Sequence, residues 1–280
     1  MFILFPCEYG NISAVDENYK LEYLAAIKHG FDILLVDYDE FLMSGKLKLN
    51  NKLDSPCVED VIYRGWMLKY DDYVRFYKNL LDFNLKLINS PDEYRNCHEF
   101  YYSYNSVRDY TPESLFFKDG EQINWNDVFY RFDRFLIKDF VKSVKGFDFP
   151  KYFDNSYVAQ DMDKYIQKFI DIRGSLYTGG IVVKKFVDLK HDDKTHEFRA
   201  FYVNGELLVI YHNSCNYGDE LPIEMAKNMP KLGSNFYTID FAVCNDGNII
   251  VIETGDGQVS GIDDEKSIDV FYERLKNIFL

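Results

Sequence analysis

Asp240 and Glu253 are the residues whose type and spacing most clearly suggest chemistry. Tyr237 to Cys244 and Ile249 to Glu253 read as two strands joined by Asn245, Asp246, Gly247 and Asn248. Asp-Gly at the centre of a two-residue turn is a strong hairpin signal, because a type I′ turn needs positive φ at both central positions. With Asp246 and Gly247 as the turn, Cys244 faces Ile249, Ala242 faces Val251 and Asp240 faces Glu253. Directly opposed residues hold their Cβ atoms about 4.5–5.5 Å apart. Two carboxylates so placed need a divalent cation, a shared proton or a basic side chain to offset their repulsion. A pair that leaves coordination positions for phosphate oxygens suits Mg²⁺. The same spacing equally describes two solvated acids at the exposed end of a hairpin.

Basic residues supply the complementary chemistry. Lys138 ends the apolar run from Phe135, where Leu136, Lys138 and Phe140 share a face, so its ammonium is a candidate for partial burial beside an anion. The loop of Lys142, Ser143, Val144, Lys145 and Gly146 adds donors, without the glycine spacing of a Walker A loop. A solvated lysine edge is the alternative. Glu197 and Arg199 alternate with Phe198 and Ala200 and project together. Arginine suits bidentate binding of phosphate or carboxylate, and an ordinary same-face ion pair is the alternative. Arg64 follows the third strand of the N-terminal region, at the strand end where open parallel sheets take ligands. It is a candidate anion contact or a solvated surface residue.

The elements that must position these residues form a coarse order. Phe2–Phe5, Asp32–Val36, Val58–Tyr63 and Lys86–Ile88 read as strands, with helices over Glu17–His29 and Asp71–Phe83, an open α/β lobe. Ser90 caps a helix with Pro91 in its first turn, running to about Val107. Leu115–Phe117 and Arg134–Lys138 read as strands and Ala159–Arg173 as an amphipathic helix. Beyond residue 180 the pattern is of hairpins, closed by a helix over Ser267–Leu280. Gly179 to Val187 is a strand running into charge, with Lys184 and Phe186 on one face and Val183, Lys185 and Val187 on the other.

Composition narrows the class. A formal net charge of −14 argues against extended nucleic-acid binding. The five cysteines contain no C-x-x-C pair, which argues against structural zinc and a disulfide framework. No apolar run reaches the ~18 residues of a membrane span. The opening Met1 to Pro6 is too short and uncharged for a signal peptide, so a soluble, cytoplasmic protein is expected. Oligomeric state is left open.

Taken in order, the α/β lobe, the Ser90 helix, strand-borne Lys138, the strand into Val187, Glu197-x-Arg199 and the Asp240…Glu253 hairpin resemble the ATP-grasp superfamily along nearly the whole chain. The ending Glu253-Thr-Gly-Asp-Gly-Gln-Val-Ser-Gly261 resembles a smaller bacterial and viral clade of it with poorly known substrates. The resemblance implies an α/β lobe over 1–90 and two α+β subdomains that clasp ATP, over 91–180 and 181–280. It implies Lys138 on the ATP phosphates, and Val183, Lys184, Lys185, Phe186 and Val187 as the hinge that reads and sandwiches adenine. Arg199 matches the arginine near the transferred phosphoryl group, and Asp240 and Glu253 match the acids that hold Mg²⁺. Gly255 stands where the family often has an asparagine, so Asp256 is the expected third ligand. Lys184 and Lys185 stand where a hinge glutamate is common, and the usual earlier phosphate-binding lysine has no counterpart near 92–107. The implied activity is ATP- and Mg²⁺-dependent ligation of a small carboxylate to an amine or related nucleophile through an acyl phosphate, with Arg64 on the substrate. Modification of a nucleic-acid end or a protein tail, and an inactive nucleotide-binding regulator, are the alternatives.

Overall fold

In the computed structural model, residues 1–51, 57–144, 149–190, 196–213, 220–262 and 265–280 are described. Lys145 and Gly146 of the basic loop, and Cys215, lie outside them.

The N-terminal sheet comprises β1 (Phe2–Glu8), β2 (Asn11–Val15), β3 (Asp32–Val36), β4 (Glu59–Tyr63) and β5 (Leu85–Leu87). Its parallel strands run in the order β3-β1-β4-β5, and β2 folds back antiparallel on the end of β1. Continuous apolar runs such as Leu34–Val36 fit strands covered on both faces. The covering helices are α1 (Lys20–Lys28), α2 (Tyr38–Ser44) and α3 (Tyr70–Leu81).

The capping signal at Ser90 is realised in full. Ser90 accepts from the Glu93 N–H and Glu93 accepts from the Ser90 N–H at 2.7 Å, opening α4 (Pro91–His98). The expected single helix to Val107 is broken at Glu99, whose extended backbone (φ −95°, ψ 113°) separates α4 from α5 (Phe100–Val107). The break turns the Phe100 N–H onto the carbonyl of Phe140.

A second sheet, antiparallel, contains β6 (Ser114–Lys118), β7 (Arg134–Lys138), β8 (Phe153–Asp154) and β9 (Gly180–Lys185), in the order β6-β9-β7-β8, with α6 (Trp125–Arg131) and α7 (Met162–Arg173) packed on it. The expected boundary at 180/181 therefore runs through β9. The chain changes sheets between Lys185 and Glu197.

The third sheet holds β10 (Glu197–Val203), β11 (Glu206–His212), β12 (Phe236–Val243) and β13 (Ile249–Asp256) in the order β11-β10-β12-β13, so β13 is an edge. Alternation splits its side chains between two cores. Phe198, Ala200, Tyr202 and Ile239 face α4, α5 and the short α8 (Ile223–Lys227). Phe201, Val203 and Phe236 face the N-terminal lobe and α9 (Glu265–Phe279), which buries Ile268, Phe271, Tyr272 and Leu275 at helical spacing. N-terminal lobe and third sheet thus share one core.

Candidate active site

Asp240 does face Glu253, by a route different from the one the turn suggests. Only Gly247 of the hairpin loop has positive φ (+83°), so no type I′ turn forms. Instead Cys244 donates its N–H to Asn248 and Gly247 donates to Cys244, and pairing begins at Val243 with Ile249. Phe241 therefore pairs with Val251. A bulge then inserts Ile252 and restores Asp240 to Glu253. Two one-residue shifts cancel.

Asp240 is held by Arg199, its neighbour across β10 and β12, through two parallel bonds: Nε to Oδ1 at 2.8 Å and Nη2 to Oδ2 at 2.7 Å. The partner of Arg199 is thus Asp240 rather than Glu197. Burial opposes the Arg199 charge, but this pairing outweighs it and raises the guanidinium above its ordinary value. Asn213 donates to Asp240 Oδ2 at 3.3 Å. Glu253 receives Lys138 at 3.1 Å on one oxygen and Lys142 at 3.0 Å on the other. Burial alone would push Glu253 up, yet the two ammoniums hold it well below the usual carboxylate range. Lys138 is inward-facing, as the pattern of β7 suggests, and lies 5.1 Å from the Phe100 ring centroid.

Lys142 is visible in the sequence only as one of several loop donors. The readable signal is Asp139, three residues ahead, whose side chain can close an Asx turn. Nothing in the sequence singles out His98. It is buried near this cluster, and burial together with Lys142 pushes it down to about 3.

The segment from Val183 to Val187 divides among several roles. Val183 is buried in the core of the second sheet. The Lys185 N–H donates to the Glu113 carbonyl and the Phe186 N–H to that of Arg134. Lys185 is exposed, Val187 half-buried, and the Phe186 ring lies 4.7 Å from that of Tyr152. The Lys184 ammonium is buried and donates to the carbonyls of Ile252 at 2.8 Å and Val251 at 3.4 Å. Burial, then Lys138, drives its pKa well down.

Two expected site residues are employed elsewhere. Asp256 lies three residues beyond Glu253 and points to the opposite face of the sheet, where it is fully buried. It accepts from Asn89 at 2.5 Å and from the Gln258 N–H at 2.8 Å. It cannot join Asp240 and Glu253 on a metal. Arg64 is 1% exposed; it meets both oxygens of Glu22 at 2.7 and 2.8 Å, donates to the Gly257 carbonyl and lies against the Phe201 and Phe271 rings. It ties the N-terminal lobe to the third sheet and presents no donor to a cleft. Gly255 and Gly257, after Glu253, are packed closely. A Cβ on Gly255 would meet Thr238 Oγ1 at 2.7 Å, and one on Gly257 would meet the Phe236 ring at 2.7 Å.

The donor set fits Mg²⁺ arriving with a nucleotide. Mg²⁺ is commonly held by one or two carboxylates and completed by phosphate oxygens and water. Asp240 and Glu253 supply two, and each is matched by cations suited to phosphate. Among the described residues no group of three or more His, Cys, Asp or Glu could hold a metal. No described helix is long and apolar enough to cross a membrane.

Comparison with known proteins gives the family. A family model for an ATP-grasp domain, the third family of one clade of that superfamily, matches residues 124–275. The match spans more than half of the chain, which therefore belongs to that family. By that membership it is an ATP-binding, ATP-dependent ligase of the ATP-grasp class. No curated protein matches in sequence. Among solved structures it resembles D-cycloserine synthetase DcsG (11% identity, 99% of each chain covered, TM-score 0.60). It also resembles D-alanine–D-alanine ligase from Bacillus anthracis (13% identity, 99% of this chain and 94% of that one, TM-score 0.57). The ATP-grasp ligase PsnB, in complex with a precursor variant, Mg and ADP, is a third (13% identity, 99% and 95%, TM-score 0.57). At these identities the likeness shows the fold.

Proposed function

We propose that the chain joins a small carboxylate to an amine or related nucleophile at the expense of ATP, through an acyl phosphate. The observation that carries this reading is the interlocked set of Asp240 with Arg199 and Glu253 with Lys138 and Lys142. Two anions suited to Mg²⁺ are there interleaved with three cations suited to phosphate. A carboxylate oxygen of the substrate attacks the γ-phosphorus as the bond to the β–γ bridging oxygen breaks, and ADP leaves. The nucleophile then attacks the acyl carbon, inorganic phosphate leaves and the amine loses a proton. Lys138, Lys142 and Arg199 hold the phosphoryl oxygens in line and stabilise the charge spread over them. Asp240 and Glu253 would hold Mg²⁺, which when bound neutralises phosphate charge. The backbone beyond β9 would carry the adenine.

The test is Mg²⁺-dependent ADP formation with a panel of small acids and amines, the products being identified by mass spectrometry. Asp240→Asn should abolish it; unchanged turnover would overturn the reading. ATP binding without turnover across a broad panel would favour a nucleotide-binding regulator instead.

A further inference from the structure

Asp139, the residue after Lys138, has a fully buried side chain. Burying a carboxylate costs several kcal/mol unless each oxygen is paired, and here both are. Oδ1 accepts the N–H groups of Val141 at 2.7 Å and Lys142 at 2.6 Å, while Oδ2 accepts Arg173 Nε at 2.8 Å. The Asp139 N–H donates to the Lys142 carbonyl at 3.0 Å. Arg173, the last residue of α7, is itself fixed by a bond from Nη2 to the Leu176 carbonyl at 3.1 Å.

These bonds fold the chain back directly after β7. Lys138 and Ser143 meet across the turn in an isolated bridge. The turn returns the Lys142 side chain to Glu253, beside Lys138. Without it, a lysine four residues beyond a strand would extend into solvent, as the (CH₂)₄ stem and hydrated ammonium prefer. Asp139 and Arg173 touch none of Asp240, Glu253 or Lys138 through their side chains, so their influence on the cluster runs through the loop.

We propose that Asp139 and Arg173 are positioning residues, which hold Lys142 at the site by fixing the turn that follows β7. This rests on the ATP-dependent reading above. Two charged side chains and two backbone N–H groups are committed to one loop conformation, and the product of that conformation is the placement of one ammonium.

A double-mutant cycle on Mg-ATP binding by the full chain tests it, using Asp139→Asn, Lys142→Met and the pair, measured by calorimetry. Asp139→Asn keeps an acceptor for the two N–H groups and removes the charge facing Arg173. It should weaken Mg-ATP binding about tenfold when Lys142 is present and less than about twofold in the Lys142→Met background. Equal losses in both backgrounds, or none in either, would overturn the assignment. Arg173→Gln should show the same dependence on Lys142, and this second cycle decides the matter if Asp139→Asn fails to fold. Absence of Mg-ATP binding by the wild-type chain would remove both the assignment and the reading beneath it. Binding with an additive cycle removes the assignment alone.

Discussion

Lys184 places its ammonium 2.8 Å from the carbonyl oxygen of Ile252, the residue that the bulge adds to the outer edge of β13. An edge strand presents carbonyls with no ladder partner, and this one is satisfied from the neighbouring sheet. Without the extra residue Asp240 would pair with Ile252, and Glu253 would turn to the other face, because side chains alternate with period two. We predict that Lys184→Met shifts stability by no more than about 1–2 kcal/mol. The orphaned carbonyl costs about that much, and relief from burying an ammonium offsets it. Mg²⁺-dependent turnover should still fall by about tenfold or more. Thermal unfolding measured beside turnover checks both halves; intact turnover would mean that the backbone alone sets the bulge.

On the proposed reading, Glu253 competes with nucleotide for Lys138 and Lys142, which it holds at 3.1 and 3.0 Å. Glu253→Gln should therefore lower Mg²⁺-dependent activity and yet strengthen binding of metal-free ATP, on the order of tenfold, equivalent to about 1.4 kcal/mol. Titration with ATP in EDTA reads the second effect. Weaker binding there would show that the lysines do not meet phosphate.

The Arg64–Glu22 pair should behave as a structural tie. Arg64→Ala leaves a buried carboxylate without its partner and should destabilise by about 3–5 kcal/mol in chemical denaturation. Replacing both residues by apolar ones of similar size should recover most of that loss. A change in substrate KM without loss of stability would restore Arg64 to a binding role.

Asp256 predicts a pH dependence. Burial raises it to about 7 from an ordinary 3.8, against the hydrogen bonds that pull it down. Below about pH 4 the carboxyl is protonated folded or unfolded, and its contribution is fully present. As pH rises toward 7 the unfolded chain ionises first, and stability is lost, up to roughly 4 kcal/mol at 1.36 kcal/mol per pK unit. Asp256→Asn should flatten the stability profile between pH 4 and 7. Parallel profiles for the two proteins would contradict the shift.

Much of the fold was legible because its signals are local. The Ser90–Glu93 capping box, the apolar run of β3 and the spacing of Ile268, Phe271, Tyr272 and Leu275 each name their element directly. The break at Glu99 was not legible, since it answers to a hydrogen bond from Phe100 to Phe140, forty residues away. At the site, the opposition of Asp240 and Glu253 was readable, though the bulge that secures it was not. The buried partners of Arg64 and Asp256 were not legible, for one reason. Sequence shows that a charge follows a strand, whereas its use depends on burial among partners far along the chain, such as Glu22 for one and Asn89 for the other.

The core that joins the N-terminal lobe to the third sheet includes no residue of the second sheet. Phe5, Phe31, Phe201, Phe236 and Phe271 belong to one packed cluster, whereas Trp125, Phe135, Phe153 and Phe169 belong to another between the second sheet and its helices α6 and α7. We predict that the N-terminal lobe and third sheet act as a fixed anvil and the second sheet as a single jaw. Lys138, Lys142 and Lys184 ride on the jaw; Asp240, Glu253 and Arg199 sit on the anvil. Opening the bite would separate opposite charges, so its aperture should widen as ionic strength rises. Small-angle scattering should record a wider molecule in high salt, and an unchanged radius would mean that the jaw is held by its apolar contacts at Phe140 and Val182 instead.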